Sequence, residues 1–208
     1  MERRMPAATG GVDDECSAML TPKEVVNHVF CPRFTWFAHI MGIPERAGLR
    51  YKVRKGKAVH ARRERENRGY VRKKIGAVKK EIDVYLASRR ERLRGRVDEV
   101  VWLDDGCVAP LDYKYTSAPD RIYYGHRIQV SLYALMLRDA WDVGVHRAFV
   151  VYIRGGNTVM EVPFGEREVE TCRRLVDEVF EVIEGGILPP RTRWEGRCAD
   201  CHYRNICV

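Results

Sequence analysis

The order of elements read along the chain (two helices, three strands, a helix, a hairpin and a last helix) predicts an α/β fold with a mixed central sheet flanked by helices. Two-residue alternation of apolar side chains marks the strands, Asp104-Asp105-Gly106 marks a tight turn between two of them, and three- to four-residue spacing marks the helices. The chain has 208 residues, 45% of them hydrophobic and 32% charged, which is enough for one full core and too little for two of ordinary size. Residues 1–19 read as a flexible lead and residues 20–208 as a single domain.

Each element has a local reason. Thr21-Pro22-Lys23-Glu24 is a capping box with proline at the first helical position, so a helix starts there, runs through Val25, Val26 and Val29, and carries the chain to Cys31. A second helical stretch, about Tyr51 to Arg68, is dense in Arg and Lys and contains His60. Alternation at Ile82, Val84 and Leu86, followed by LRGRVDEVVWL and CVAPLDYKYT, predicts three successive, largely antiparallel strands. From Asp120 to Trp141, Ile128, Leu132, Leu135 and Met136 recur at helical spacing. AFVVYI and TVMEVPF flank Arg154-Gly155-Gly156-Asn157 as a hairpin, and a helix from Glu166 to Glu184 closes on Gly185 and Gly186. After Pro189-Pro190 the chain reads as loop.

The formal net charge is +8, unevenly placed: residues 46–74 hold 13 Lys and Arg against Glu64 and Glu66, so the remainder is slightly negative. A basic block beside a nearly neutral body points to a polyanion, nucleic acid first. No apolar run approaches the roughly 20 residues of a membrane span, and the first residues lack the apolar core of an export signal, which predicts a soluble, cytoplasmic protein.

Asp98 in GRVDEVV and Asp112 in PLDYKYT fall on strands joined by the Asp-Asp-Gly turn, so two carboxylates can converge on one metal ion. Strand alternation sends Asp112 and Lys114 to the same face, placing an ammonium group beside the ligands. Phosphodiester hydrolysis needs this set: hard oxygen ligands for Mg²⁺ or Mn²⁺ and a cation near the attacking water or the developing charge. Gln129 and Tyr133, spaced i, i+4 on an otherwise apolar helix, point toward the same place.

The ordered set His60, GRVD ending at Asp98, Asp112-Tyr113-Lys114 and Gln129-x-x-x-Tyr133 resembles the RecB-like branch of the PD-(D/E)xK nucleases. That resemblance implies a restriction-endonuclease-like core in which His60, Asp98, Asp112 and the backbone carbonyl of Tyr113 bind the metal. It further implies that Lys114 is catalytic and that Gln129 and Tyr133 support the site and the DNA. The sequence departs from the pattern at Asp112, where close relatives more often carry Glu.

Seven cysteines in a chain without an export signal argue for metal ligation over disulfides. Cys198, Cys201 and Cys207 supply three thiolates in one short segment, and Cys31, ending the first helix before Pro32, is the best fourth. Their spacing leaves an iron–sulfur cluster and zinc both open. Cys16, Cys107 and Cys172 read as packing residues. One cysteine before the nuclease motifs and three after resembles the CRISPR-associated RecB-like exonucleases, the Cas-four family. This narrower resemblance implies an iron–sulfur cluster, 4Fe-4S ahead of 2Fe-2S, on Cys31, Cys198, Cys201 and Cys207, so that Cys31 and residues 191–208 form a clasp between the N- and C-terminal segments. It also implies 5′→3′ exonuclease activity on single-stranded DNA with 5′ ends or overhangs and prespacer trimming beside the adaptation integrase proteins; the sequence leaves open whether the chain forms a homo-oligomer. The competing readings are a nuclease component of a helicase–nuclease complex and a non-catalytic DNA-binding module with structural zinc, against which the intact Asp98, Asp112 and Lys114 weigh.

Overall fold

A computed structural model of the protein describes residues 18–45 and 72–207. The expected basic helix with His60, Cys16, and most of the lead and of the basic block lie outside the described residues.

Helix α1 (Pro22–Phe30) begins as its capping box requires: Thr21 Oγ1 accepts the Glu24 N–H at 3.3 Å and Glu24 Oε2 accepts the Thr21 N–H at 2.6 Å. Cys31 leaves the helix with extended backbone, and after Pro32 the chain resumes helical turns at Arg33–Thr35 that widen to π geometry over Trp36–Ile40. Five strands follow: β1 (Ala77–Ser88), β2 (Leu93–Leu103), β3 (Val108–Lys114), β4 (Arg147–Tyr152) and β5 (Thr158–Pro163). They lie in the sheet in chain order, antiparallel except for the β3–β4 pair. A parallel pair cannot be closed by a tight turn. The crossover is α2 (Tyr124–Trp141), which lies against all five strands.

The mixed sheet expected from the sequence is therefore present, and alternation divides it into two faces. Val100, Val108, Val150 and Tyr152 pack under α2 with its Ile128, Leu132, Leu135 and Met136. α3 (Glu166–Gly185) adds Val169, Cys172, Val176 and Val179 to that core. Gly186, at φ 63°, closes α3 in the left-handed region that glycine enters at least cost. Two boundaries differ from expectation. α2 starts at Tyr124 rather than Asp120, and the residues between pass from the end of β3 to the start of the crossover, with Tyr123 outside helical backbone at ψ 136°. The final stretch is not all loop: Glu195–Asp200 forms a 3₁₀ turn. Among the described residues no helix is long and apolar enough to cross a membrane.

The other face of the sheet carries Val101, Leu103, Ala109, Leu111 and Val151, and beside them a buried polar network. Lys80 Nζ and Glu99 Oε1 form an ion pair at 2.8 Å with side chains only 4% and 5% exposed. The same oxygen accepts the Tyr113 hydroxyl at 2.9 Å, and Arg72 donates to that hydroxyl at 3.2 Å. Burial, with the Glu99 charge second, pushes the Tyr113 hydroxyl up to about 12, so it stays a donor. Removing one member of a buried pair strands the other's charge. Lys80→Met is expected to lower stability by about 3–5 kcal/mol. Lys80→Met with Glu99→Met should recover most of that loss, as read by urea denaturation.

Candidate active site

Asp98 stands at a break in both of its strand ladders. Toward β3, paired residues run only to Glu99↔Leu111, and one more antiparallel step sets Asp98 opposite Asp112. There the Asp98 carboxylate replaces the ladder: its Oδ2 accepts the Tyr113 backbone N–H at 2.8 Å. Toward β1, Ile82 pairs with Glu99 and Val84 with Val97, while the intervening Asp83 adopts φ 53°. A non-glycine residue in the left-handed region costs roughly 1–2 kcal/mol. Arg96 secures it by donating to the Asp83 carbonyl at 3.1 Å and to its carboxylate.

On β3, Asp112 and Lys114 share the face turned to α2, as alternation predicts. Lys114 Nζ lies 2.7 Å from Asp112 Oδ2, with Asp112 buried and Lys114 mostly so. Gln129, on the sheet-facing side of α2, reads both charges. Its Oε1 accepts from Lys114 Nζ at 2.6 Å, and its Nε2 donates to Asp112 Oδ1 at 3.3 Å and to the Tyr133 hydroxyl at 3.2 Å. A lysine on one side and a carboxylate on the other fix which way the amide points. Burial, then the Asp112 charge, raises the Tyr133 hydroxyl well above its usual range, so it remains protonated. The structure thus brings together Asp98, Asp112, Tyr113, Lys114, Gln129 and Tyr133, whereas His60 lies outside the described residues. Two carboxylates on one pocket supply hard oxygen donors of the kind that suit a divalent cation, with the Lys114 ammonium beside them.

His126 was not singled out from the sequence. It lies one turn before Gln129, its Nδ1 3.1 Å from the Tyr152 hydroxyl and its ring edge-on to Tyr123. Burial, then the Lys114 charge, lowers its pKa to about 4. The i, i+3 relation to Gln129 was the available signal; the partner Tyr152, on β4, was not visible from it.

The four expected cysteine ligands face one cavity without gathering as a metal-holding set. Cys31, Cys198, Cys201 and Cys207 line one cavity of about 170 Å³ walled by Phe30, Phe34, Phe37 and Tyr203. Burial raises the Cys201 thiol, and the neighbouring Cys31, Cys198 and Cys207 raise it further against the lowering by the Tyr203 backbone N–H. Donors reach the sulfurs: Arg33 Nη1 to Cys207 Sγ at 3.2 Å and the Thr192 N–H to Cys31 Sγ at 3.4 Å. Arg197 donates to the carbonyls of Val29 and Phe30 at 3.0 and 2.8 Å, tying the C-terminal segment to the end of α1. Neither arginine was anticipated. Among the described residues, no three His, Cys, Asp or Glu side chains stand close enough together to hold a single metal ion. Cys172 is fully buried, its thiol pushed up to about 12 by burial, which suits an inert packing residue. Cys107 is partly exposed and packs against the far face of the sheet.

Residues 36–208 match the PD-(D/E)XK nuclease superfamily. The chain belongs to that superfamily, and it is a nuclease. Its similarity within it is to Cas4 exonucleases, in keeping with the resemblance its motifs carry. It is 25% identical over 193 residues to the CRISPR-associated exonuclease Cas4 of Thermoproteus tenax, covering 92% of this chain and 94% of the relative. It is 21% identical over 180 residues to that of Francisella tularensis subsp. novicida, covering 86% and 88%. The fold is shared with the crystal structure of SSO0001, at a TM-score of 0.58 and 16% identity, covering 95% of this chain and 88% of that one.

The environment of His126 makes stability depend on pH. Its folded pKa of about 4 lies below the ordinary 6.5, so between these values the unfolded chain takes up a proton that the folded protein refuses. Stability should fall as pH drops from about 6.5 to about 4, with no further decline from this group below that range. His126→Gln should flatten that part of the profile, by on the order of 2–3 kcal/mol in denaturation measured across the window.

Proposed function

We propose that the protein is a metal-dependent DNA exonuclease that hydrolyses phosphodiester bonds in single-stranded DNA from 5′ ends or overhangs, 5′→3′, and trims prespacers for the CRISPR adaptation integrase. The observation that carries the reading is the convergence of Asp98, Asp112, Lys114, Gln129 and Tyr133 on one pocket. Strand preference, polarity and the integrase partner rest on the resemblance to the Cas-four family and on the relatives' being exonucleases of that name.

In this reading Asp98, Asp112, the Tyr113 carbonyl and His60 hold Mg²⁺ or Mn²⁺, the divalent ions that nucleases of this superfamily use. The bound ion supplies Lewis acidity and a water of lowered pKa. The chain's own contribution is arrangement. Lys114, 2.7 Å from Asp112, sets a cation where the attacking water and the developing phosphorane charge will lie. Gln129 bridges Lys114 and Asp112, holding both at fixed orientation, and Tyr133 braces Gln129 from the next turn.

An iron–sulfur cluster, 4Fe-4S rather than 2Fe-2S, on Cys31, Cys198, Cys201 and Cys207 completes the proposal. The donors are all soft thiols, and a cavity of about 170 Å³ has room for several atoms where zinc needs room for one. N–H groups directed at two of the sulfurs suit the accumulated charge of thiolates. The cluster's role is to clasp the segment after α3 to the end of α1.

Asp98→Asn and Lys114→Ala should each reduce Mn²⁺-dependent digestion of end-labelled single-stranded DNA by at least about a hundredfold in protein that circular dichroism shows to be folded. Undiminished digestion by folded Asp98→Asn would refute the assignment. Comparing 5′- and 3′-labelled strands in the same assay reads the polarity.

Cys31→Ala should lose iron and the brown colour near 400 nm (order-of-magnitude expectation for thiolate-bound iron clusters) and melt at lower temperature. Cys107→Ala should keep both. Iron retained in Cys31→Ala, or zinc in its place in protein purified without air, would overturn the cluster and leave the nuclease reading intact.

A further inference from the structure

Tyr124, Arg127, Ile128 and Ser131, at i, i+3, i+4 and i+7 of α2, form with the first half of α3 a solvent-open cleft of about 260 Å³. Three guanidinium groups line this cleft, those of Arg127, Arg167 and Arg174, against the single carboxylate of Glu168. That carboxylate is already engaged, accepting from Arg127 Nη2 at 2.8 Å and from the Gly165 N–H at 3.1 Å. Arg174 pairs with Glu178 one turn further along α3, away from the cleft lining. With the Arg127–Glu168 and Arg174–Glu178 pairs both counted, the Arg167 guanidinium stands outside them and leaves the cleft net positive.

Two further observations specify what it accepts. Ser131 lines the cleft at 1% exposure, and its hydroxyl has no hydrogen-bond partner among the described residues, an arrangement native proteins rarely leave without a ligand or water. Tyr124, at the cleft mouth, is 50% exposed, and Tyr123 beside it is 52% exposed, so neither ring is used to fill the core. Arginines and a hydroxyl recognise a tetrahedral phosphodiester, and an exposed ring next to them offers a stacking surface for a base.

We propose that this cleft holds a backbone phosphate of single-stranded DNA, with an adjacent base stacked on Tyr124. It rests on the nuclease reading above. Gln129 and His126 occupy the opposite side of the same first turns of α2, so a strand leaving the catalytic pocket crosses the end of one helix to reach the cleft. The cleft would then bind DNA through sequence-independent contacts, positioning the strand without reading it.

The test is fluorescence anisotropy with a labelled single-stranded oligonucleotide, measured in EDTA on a Lys114→Ala parent so that degradation does not intervene. Arg167→Ala with Arg174→Ala should raise Kd about tenfold or more and reduce the slope of log Kd against log salt by about 0.7 for each phosphate that is no longer neutralised. Arg167→Lys with Arg174→Lys should restore the slope. Tyr124→Ala should raise Kd at least about fivefold and Tyr124→Phe should not, because stacking needs only the ring. Unchanged affinity and slope in an alanine double variant that melts like its parent would overturn the proposal. So would displacement of the strand by millimolar inorganic phosphate at constant ionic strength, which would make the cleft a small-anion site. If the cleft variants bind like the parent while Lys114→Ala is inactive, only the cleft falls. If Lys114→Ala digests DNA normally in Mn²⁺, the catalytic reading falls and the binding result is unaffected.

Discussion

The hydrogen bond from the Tyr113 backbone N–H to the Asp98 carboxylate is the constraint around which the site is arranged. A strand amide ordinarily donates to the neighbouring strand, and here it is diverted to a side chain at the point where the β2–β3 ladder ends. Two results follow from one bond. Asp98 is held against β3, and the residues on either side of Tyr113, Asp112 and Lys114, are fixed with their side chains toward α2. The left-handed Asp83 opposite Asp98 is the matching concession on β1, since regular pairing on that side would hold Asp98 in an ordinary ladder position.

The same tyrosine links the two faces of the sheet. Its backbone serves the pocket under α2, while its hydroxyl is anchored on the far face by Glu99 and Arg72, with Lys80 closing the buried pair. The Asp112-Tyr113-Lys114 tripeptide is thereby gripped from both sides. α2 then completes the pocket with Gln129, whose single amide satisfies an ammonium group, a carboxylate and a phenol at once.

Much of this was legible because it depends on short-range rules. Strand alternation places Asp112 and Lys114 on one face, the Asp-Asp-Gly turn brings Asp98 alongside, and the i, i+4 spacing of Gln129 and Tyr133 aims both at the same spot. The sheet's mixed character followed from a long helical crossover between strands that otherwise join by tight turns. What escaped the sequence depends on distant partners. His126 meets Tyr152 across 26 positions, Lys80 meets Glu99 only once β1 and β2 pair, and Arg197 caps α1 from 168 positions away. The positive φ of Asp83 has no local signature either, because aspartate is tolerated in that conformation without requiring it. His60 and most of the basic block fall outside the described residues, so the sequence reading of them stands as an expectation.

The clasp imposes an order of events on folding. Tyr203 reaches the Ile43 carbonyl across 160 positions and Arg33 reaches Cys207 across 174, whereas the β1–β2–β3 meander is built from neighbours in sequence. Closing so long a loop carries an entropic cost that only contacts already formed in the core can offset, so the meander and its crossover helix assemble first and the clasp closes last. Until it closes, Phe34, Phe37 and Tyr203 lack the stacked and edge-on partners they have in the native state and stand open to solvent. The interval between core formation and closure of these end-to-end contacts is therefore the stage at which the chain is most prone to associate with other unfolded chains.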